Sequence, residues 1–143
     1  MEIITLMENL IYKNYELILK DIRKICLKAN KNPKNVKVIA ICKRQPFLKI
    51  EQSIKLGITH FGENRIQDAK NRWSKIKSEK IKLSFVGPLQ TNKSEDAVKY
   101  FDDIQSLDRL KLAKCLSSAQ SKLKKKINLM IQVNTGNEPQ KSG

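Results

Sequence analysis

The 143-residue sequence holds one histidine, His60, and five arginines against 24 lysines. A single imidazole excludes a histidine-rich metal centre and argues against a Ser-His or Cys-His catalytic pair. Aromatic residues make up 6% of the chain, too few for the stacking platforms that grip single-stranded nucleic acid. Scarce arginine removes the side chain that reads bases and phosphates with a two-pronged fork. The net charge of +15 therefore reads first as a solvated lysine surface. A basic nucleic-acid-binding protein is kept as an alternative, and no specific nucleic-acid partner is expected. Lys, Ile and Asn together exceed a third of the residues, which AT-rich codon usage would also produce.

Other absences narrow the class further. No apolar run approaches the roughly 18 to 20 residues of a membrane span, the densest being Val38–Cys42. The N-terminus is acidic where a secretory signal would be basic and lacks a small-residue cleavage site, so a cytoplasmic protein is expected. Cys26, Cys42 and Cys115 are odd in number and widely spaced, which points to reduced thiols rather than disulfides or a metal site. With 40% apolar and 30% charged residues, a packed core is expected, in one domain spanning residues 1–143.

The apolar pattern alternates between helical and strand periods. Ile4, Met7, Ile11, Tyr15, Ile18, Ile22, Ile25 and Ala29 step by three and four, predicting an N-terminal helix over about residues 3–30 that stops at Asn30-Lys31-Asn32-Pro33. Val36–Cys42 then reads as a buried strand. Pro46 opens a helix whose C-terminal cap is Gly57, and Ile58–Phe61 is a second strand. A third helix from about Asn64 places Ile66, Ala69, Trp73 and Ile76 on one face, before a strand over Ile81–Val86. A short helix to near Tyr100, a weak strand near Asp103–Ser106, a helix to about Ser121 and a strand over Ile127–Asn134 complete the series.

One helix followed by five strands interleaved with four helices is the signature of parallel βαβ units. An open doubly wound sheet and a (β/α) barrel both fit. No Gly-x-Gly-x-x-Gly follows the first strand, so a dinucleotide fold loses its main support. A closed barrel needs eight strands and five are found, so the barrel reading implies an incomplete one. In either case ligands gather at the C-terminal ends of the strands. Those ends carry Lys43, Gly62-Glu63-Asn64, Gly87–Gln90, Ser106 and Asn134. Lys43 abuts an apolar strand, where partial desolvation would favour the neutral amine that attacks aldehydes. His60 and Cys42 read as structural strand residues, Trp73 as core, and Glu63 and Asp68 as loop and helix-surface charge.

The string Val38–Lys43 with Pro46, then Phe61-Gly62-Glu63-Asn64, then Phe85–Lys93, resembles the pyridoxal phosphate homeostasis proteins, the YggS/PROSC family. The similarity runs through Leu107-Asp108-Arg109 to Ile131–Asn134 with Glu138, Lys141, Ser142 and Gly143. The Gly-Glu-Asn and Gly-Pro-Leu-Gln-x-Asn-Lys blocks are specific together. The resemblance implies a TIM-type (β/α) barrel like the N-terminal domain of alanine racemase, here with five of eight strands and an extra N-terminal helix. It implies pyridoxal 5′-phosphate (PLP) held as an imine on Lys43, with Asn64 facing the cofactor pocket and Lys141 as a second lysine near its mouth. Lys93 matches the motif and is assigned to loop architecture. Gln45 stands where the family often has a second lysine, and Ser84 where a histidine is common.

The resemblance further implies a monomeric PLP carrier that can serve PLP-dependent enzymes, with no catalytic residue and no metal. Family members continue past the position of Gly143, and the portion beyond would supply the last strands and phosphate loops. A non-functional gene fragment of the family is therefore the second reading. A true racemase is least favoured, because no second domain supplies an opposing acid or base.

Overall fold

The computed structural model describes residues 2–74, 76 and 79–143, with side chains described from residue 10 onward. The chain divides into two compact units, one formed by residues up to Ala40 together with Arg44–His60, the other by Ile41–Lys43 and Phe61–Gly143.

The first unit is built on α1 (Glu2–Lys28), which packs against α2 (Phe47–Lys55). Along α1 the more covered residues are Ile11, Tyr15, Leu19, Ile22 and Cys26. Ile18 and Ile25, which the spacing placed on the buried stripe, are 47% and 64% exposed, while Cys26 is 7% exposed. At 100° per residue the covered face is thus rotated by about 40° from the stripe's centre. Apolar residues occur nearly all round this helix, so periodicity located the face and the partner helix set its angle. Ile4 and Met7 lie outside the described side chains. The predicted stop holds: Asn30 adopts a left-handed conformation with φ 52°, and the Asn32 side chain accepts the Lys34 N–H at 3.0 Å to start a 3-10 turn over Pro33–Asn35.

Gly57 ends α2 as its sequence position predicts. Its φ is +85°, its N–H donates to Ile54 O at 2.9 Å, and the Ile58 N–H reaches Ser53 O at 3.1 Å. No atom lies within 4 Å of a Cβ built there, so Gly57→Ala meets backbone strain alone. The expected loss is about 1 kcal/mol, measured by urea unfolding. A loss of several kcal/mol would show that the site is crowded, contrary to the structure.

The second unit carries a five-stranded parallel sheet in which β1 (Ala40–Ile41), β2 (His60–Glu63), β3 (Lys82–Phe85), β4 (Asp103–Leu107) and β5 (Asn128–Ile131) pair in sequence order. The intervening helices in this unit are α3 (Ile66–Trp73), α4 (Ser94–Tyr100) and α5 (Leu110–Leu123). This order is an arc of a (β/α) barrel, as expected, and not a doubly wound sheet, whose strand order reverses at a switch point. Several boundaries move. The first strand is shorter than the apolar run Val36–Cys42, because the 3-10 turn precedes it and Val36 is 46% exposed. The second begins at His60 rather than Ile58, whose N–H is engaged in the α2 cap. The third helix begins at Ile66, with Arg65 still extended, and ends before Ile76.

The helix-covered side of the sheet is the core of this unit. Phe61 meets Trp73 with ring centroids 4.9 Å apart, and Phe85 meets Phe101 edge-on at 5.1 Å. Ile104, Leu112 and Leu116 are fully buried. Lys125 donates to Lys99 O and Phe101 O at 3.1 and 3.0 Å, and burial pulls its ammonium below the usual lysine range. β5 pairs with β4 on one side only, and Met130 and Ile131 are 50% and 76% exposed, which is the open edge expected of an unclosed barrel arc. Among the described residues no helix is long and apolar enough to cross a membrane.

Candidate functional site

Strand alternation assigns each side chain at the β1 and β2 ends to one of two faces. Phe61 packs on Trp73, and Glu63, two residues on, accepts hydrogen bonds at Oε1 from Trp73 Nε1 at 3.2 Å and Arg72 Nη1 at 3.1 Å. Both therefore face α3, and the buried Gly62 between them faces the opposite side of the sheet. Cys42 belongs with Glu63. Its N–H donates to Gly62 O at 2.9 Å, and its carbonyl accepts Arg72 Nη1 at 3.0 Å. Burial first, and the Glu63 charge next, push the Cys42 thiol up to about 12 against the opposing Arg72 cation, so it is an inert buried thiol.

Lys43, two residues past the end of β1, lies in a turn and is solvent-exposed. The expected desolvation is not observed, because Lys43 stands one residue past the apolar run, beyond its cover. Arg44 follows with φ 58°, a left-handed turn that ends the strand abruptly. A polar network lies on β3 and β4, where Ser84 is paired with Asp103 in register. Ser84 Oγ donates to Asp103 Oδ2 at 2.7 Å, and Gln105 Nε2 donates to Asp103 Oδ1 at 3.0 Å.

Asn64, half-buried, leaves the end of β2 beside the loop that follows β3. The Val86 N–H donates to Glu63 O at 2.9 Å, and Gly87 presses on Asn64 so closely that a Cβ would sit 2.3 Å from its carbonyl oxygen. Arg109 Nη2 donates to Leu89 O at 2.8 Å and holds that loop from the start of α5. A cleft of about 240 Å³ opens here, lined by Asn64, Arg65, Lys70, Gln90, Lys93 and Asp96 among others. Lys70 and Asp96 form an ion pair at 3.0 Å across it. Lys93 closes a 3-10 turn through its N–H to Gln90 O, the loop role expected of it, and also lines the cleft.

Of the three residues singled out by sequence, Lys43 and Asn64 follow the C-terminal ends of β1 and β2 while Lys141 lies in a turn well past β5, and they are not all gathered. Asn64 lines the cleft and Lys43 does not. Lys141 sits in the turn after β5, its Nζ paired with Glu138 and its N–H on Glu138 O at 3.0 Å. Asn134 organises that turn by accepting the Glu138 N–H at 3.1 Å and donating to Glu138 O at 2.9 Å. His60 Nδ1 lies 3.1 Å from Thr59 Oγ1.

Glu63 is the clear correction. It reads in sequence as surface charge, yet it is fully buried, and burial outweighs Trp73 and Arg72 in raising its carboxyl above the ordinary range. Arg72 escaped notice altogether. The available signal was the shared face of Phe61 and Glu63, which puts a carboxylate into an apolar layer and demands a cation from the next helix. Among the described residues no cluster of metal-ligating side chains occurs.

No protein-family model matches the chain. Among curated proteins it is 36% identical over 135 residues to the pyridoxal phosphate homeostasis protein of Haemophilus influenzae, covering 93% of this chain and 57% of that protein. The corresponding Pasteurella multocida protein is 35% identical over 93% of this chain and 58% of its own length. Among solved structures, PipY of Synechococcus elongatus without PLP superposes with TM-score 0.74 at 31% identity over 85% of this chain and 57% of PipY. PipY with PLP bound gives 0.72 at 30% identity, over the same shares. A Bifidobacterium adolescentis protein of unknown function shares the fold at TM-score 0.85 and 23% identity, over 96% of this chain and 60% of its own. The chain thus spans somewhat under three-fifths of the curated relatives it matches. Over 93% of its length in sequence, and in its fold, the chain is similar to the pyridoxal phosphate homeostasis proteins.

Proposed function

We propose that this chain binds PLP through Lys43 and serves cytoplasmic PLP homeostasis as a monomeric carrier without catalytic turnover, delivering to PLP-dependent enzymes. The observation that carries this reading is the exposed Lys43 amine just past the end of β1, in a chain similar in sequence and fold to PipY, which is solved with PLP bound. The cofactor supplies an electrophilic aldehyde and an anionic phosphate. Lys43 fits the first of these: its exposed Nζ is the amine that would hold the aldehyde carbon as an imine. Asn64 borders the neighbouring cleft, and Lys141 adds positive charge at the same end of the sheet. Ser84, where relatives often carry histidine, is committed to Asp103.

Mixing the chain with PLP, reducing with borohydride and mapping the modified peptides tests the proposal. Lys43 should carry most of the label, and Lys43→Ala should lose it, leaving only weak labelling of surface lysines. Even labelling over the 24 lysines, unchanged in Lys43→Ala, would sink it.

A further inference from the structure

Lys43 extends from a backbone that is pinned on both sides. Before it, Cys42 donates its N–H to Gly62 O at 2.9 Å and accepts Arg72 Nη1 on its carbonyl at 3.0 Å. After it, Arg44 is held in the left-handed region. The contact to the Cys42 carbonyl comes from a side chain 30 residues away, and the same nitrogen also binds Glu63 Oε1 at 3.1 Å. One guanidinium nitrogen therefore joins the end of β1, the end of β2 and the last turn of α3. Glu63 is fully buried and its other oxygen, Oε2, has no hydrogen-bond partner, so the carboxylate depends on Arg72 and Trp73 for its compensation.

We infer that Arg72 is a positioning residue for Lys43, fixing through the Cys42 carbonyl and Glu63 the strand end from which the reactive amine projects. The inference rests on the PLP reading of Lys43. Arg72 acts through the Cys42 carbonyl and Glu63, on the α3 side of the sheet, and not on the amine itself. Its effect is on orientation: freeing the Cys42 carbonyl lets the peptide between Cys42 and Lys43 rotate, and the amine samples directions unsuited to a bound ligand. A single nitrogen serves both acceptors, so the two-pronged geometry of arginine is not required. A lysine at this position retains much of the function if its ammonium reaches both oxygens.

The test compares the share of reduced PLP label at Lys43 with that on surface lysines of the same molecule, in the wild type, R72M and R72K. R72M should lower the Lys43 share at least fivefold at unchanged surface labelling, and R72K should restore more than half of it. Rescue by lysine separates positioning from simple loss of packing, since methionine fills similar space. A wild-type share in R72M, or no difference between R72K and R72M, overturns the role of Arg72 and leaves the PLP reading standing. Even labelling of the wild type overturns both. Should circular dichroism show R72M unfolded, E63Q decides: a Lys43 share lowered at least twofold upholds the inference, because the neutral amide weakens the hold on Arg72, and a wild-type share refutes it.

Discussion

Gly87→Ala should be strongly damaging, lowering stability by about 3 kcal/mol or preventing folding. The reason is steric and not conformational. A Cβ at Gly87 would meet Asn64 O at 2.3 Å, Asn64 Cα at 2.9 Å and Asn64 C at 3.0 Å, all backbone atoms. A flexible side chain would swing away, but these atoms are fixed by the Val86 N–H to Glu63 O bond just beside them. Relief requires the loop after β3 to part from the end of β2, which widens the cleft bordered by Asn64 and weakens the Arg109 contact to Leu89 O. Gly136→Ala is the matched control. There the first atom met is the Glu138 side-chain oxygen at 3.4 Å, and the change should stay within about 0.5 kcal/mol. Urea midpoints for the two variants check the expectation, and equal midpoints would show that the two strand ends are not in contact.

Trp73→Ala should cost about 3–5 kcal/mol, from lost burial against Phe61 and the cavity left behind. Trp73→Phe isolates a second effect, because it keeps most of the ring and removes only the Nε1 donor to Glu63. A buried carboxylate that loses a donor is destabilised by about 1.5–3 kcal/mol. The pH dependence identifies the group. The Glu63 carboxyl is raised above its ordinary value of 4.5 by burial, so the folded state binds its proton more tightly than the unfolded chain does. Its stabilising contribution is therefore complete below about pH 4.5 and is lost as pH rises through the folded value. Glu63→Gln should flatten that fall, and Trp73→Phe should move its upper end to higher pH. Thermal midpoints from pH 4 to 8 measure this, and a wild-type curve parallel to that of Glu63→Gln would refute the assignment.

Much of the fold was legible because its signals are local. The steps of three and four in α1, the β-branched strands, the left-handed Asn30 and Gly57, and the turn chemistry at Gly87-Pro88 each depend on residues a few positions apart. Their order alone specified the βα series. Strand boundaries shifted where another bond claimed a residue, as when the α2 cap took the Ile58 N–H. The places of Lys43 and Asn64 at strand ends were legible in the sequence, and their assignment to a cofactor pocket came through family resemblance. Lys141 was legible only through family resemblance, as nothing in its local sequence sets it apart from 23 other lysines.

By itself the sequence determined the alternation of strand and helix, the apolar identity of the core and the lysine that ends the first strand, since all three follow from backbone preference and periodicity. Tertiary structure alone decided that Glu63 is buried rather than exposed, that Arg72 reaches the Cys42 carbonyl 30 residues away, that Gly87 admits no side chain against Asn64, and which arc of α1 is covered. These outcomes depend on how neighbouring strands stack in register and on which helix side chain lies opposite a given strand end. Contacts between segments far apart in the chain set both, and no local period encodes them.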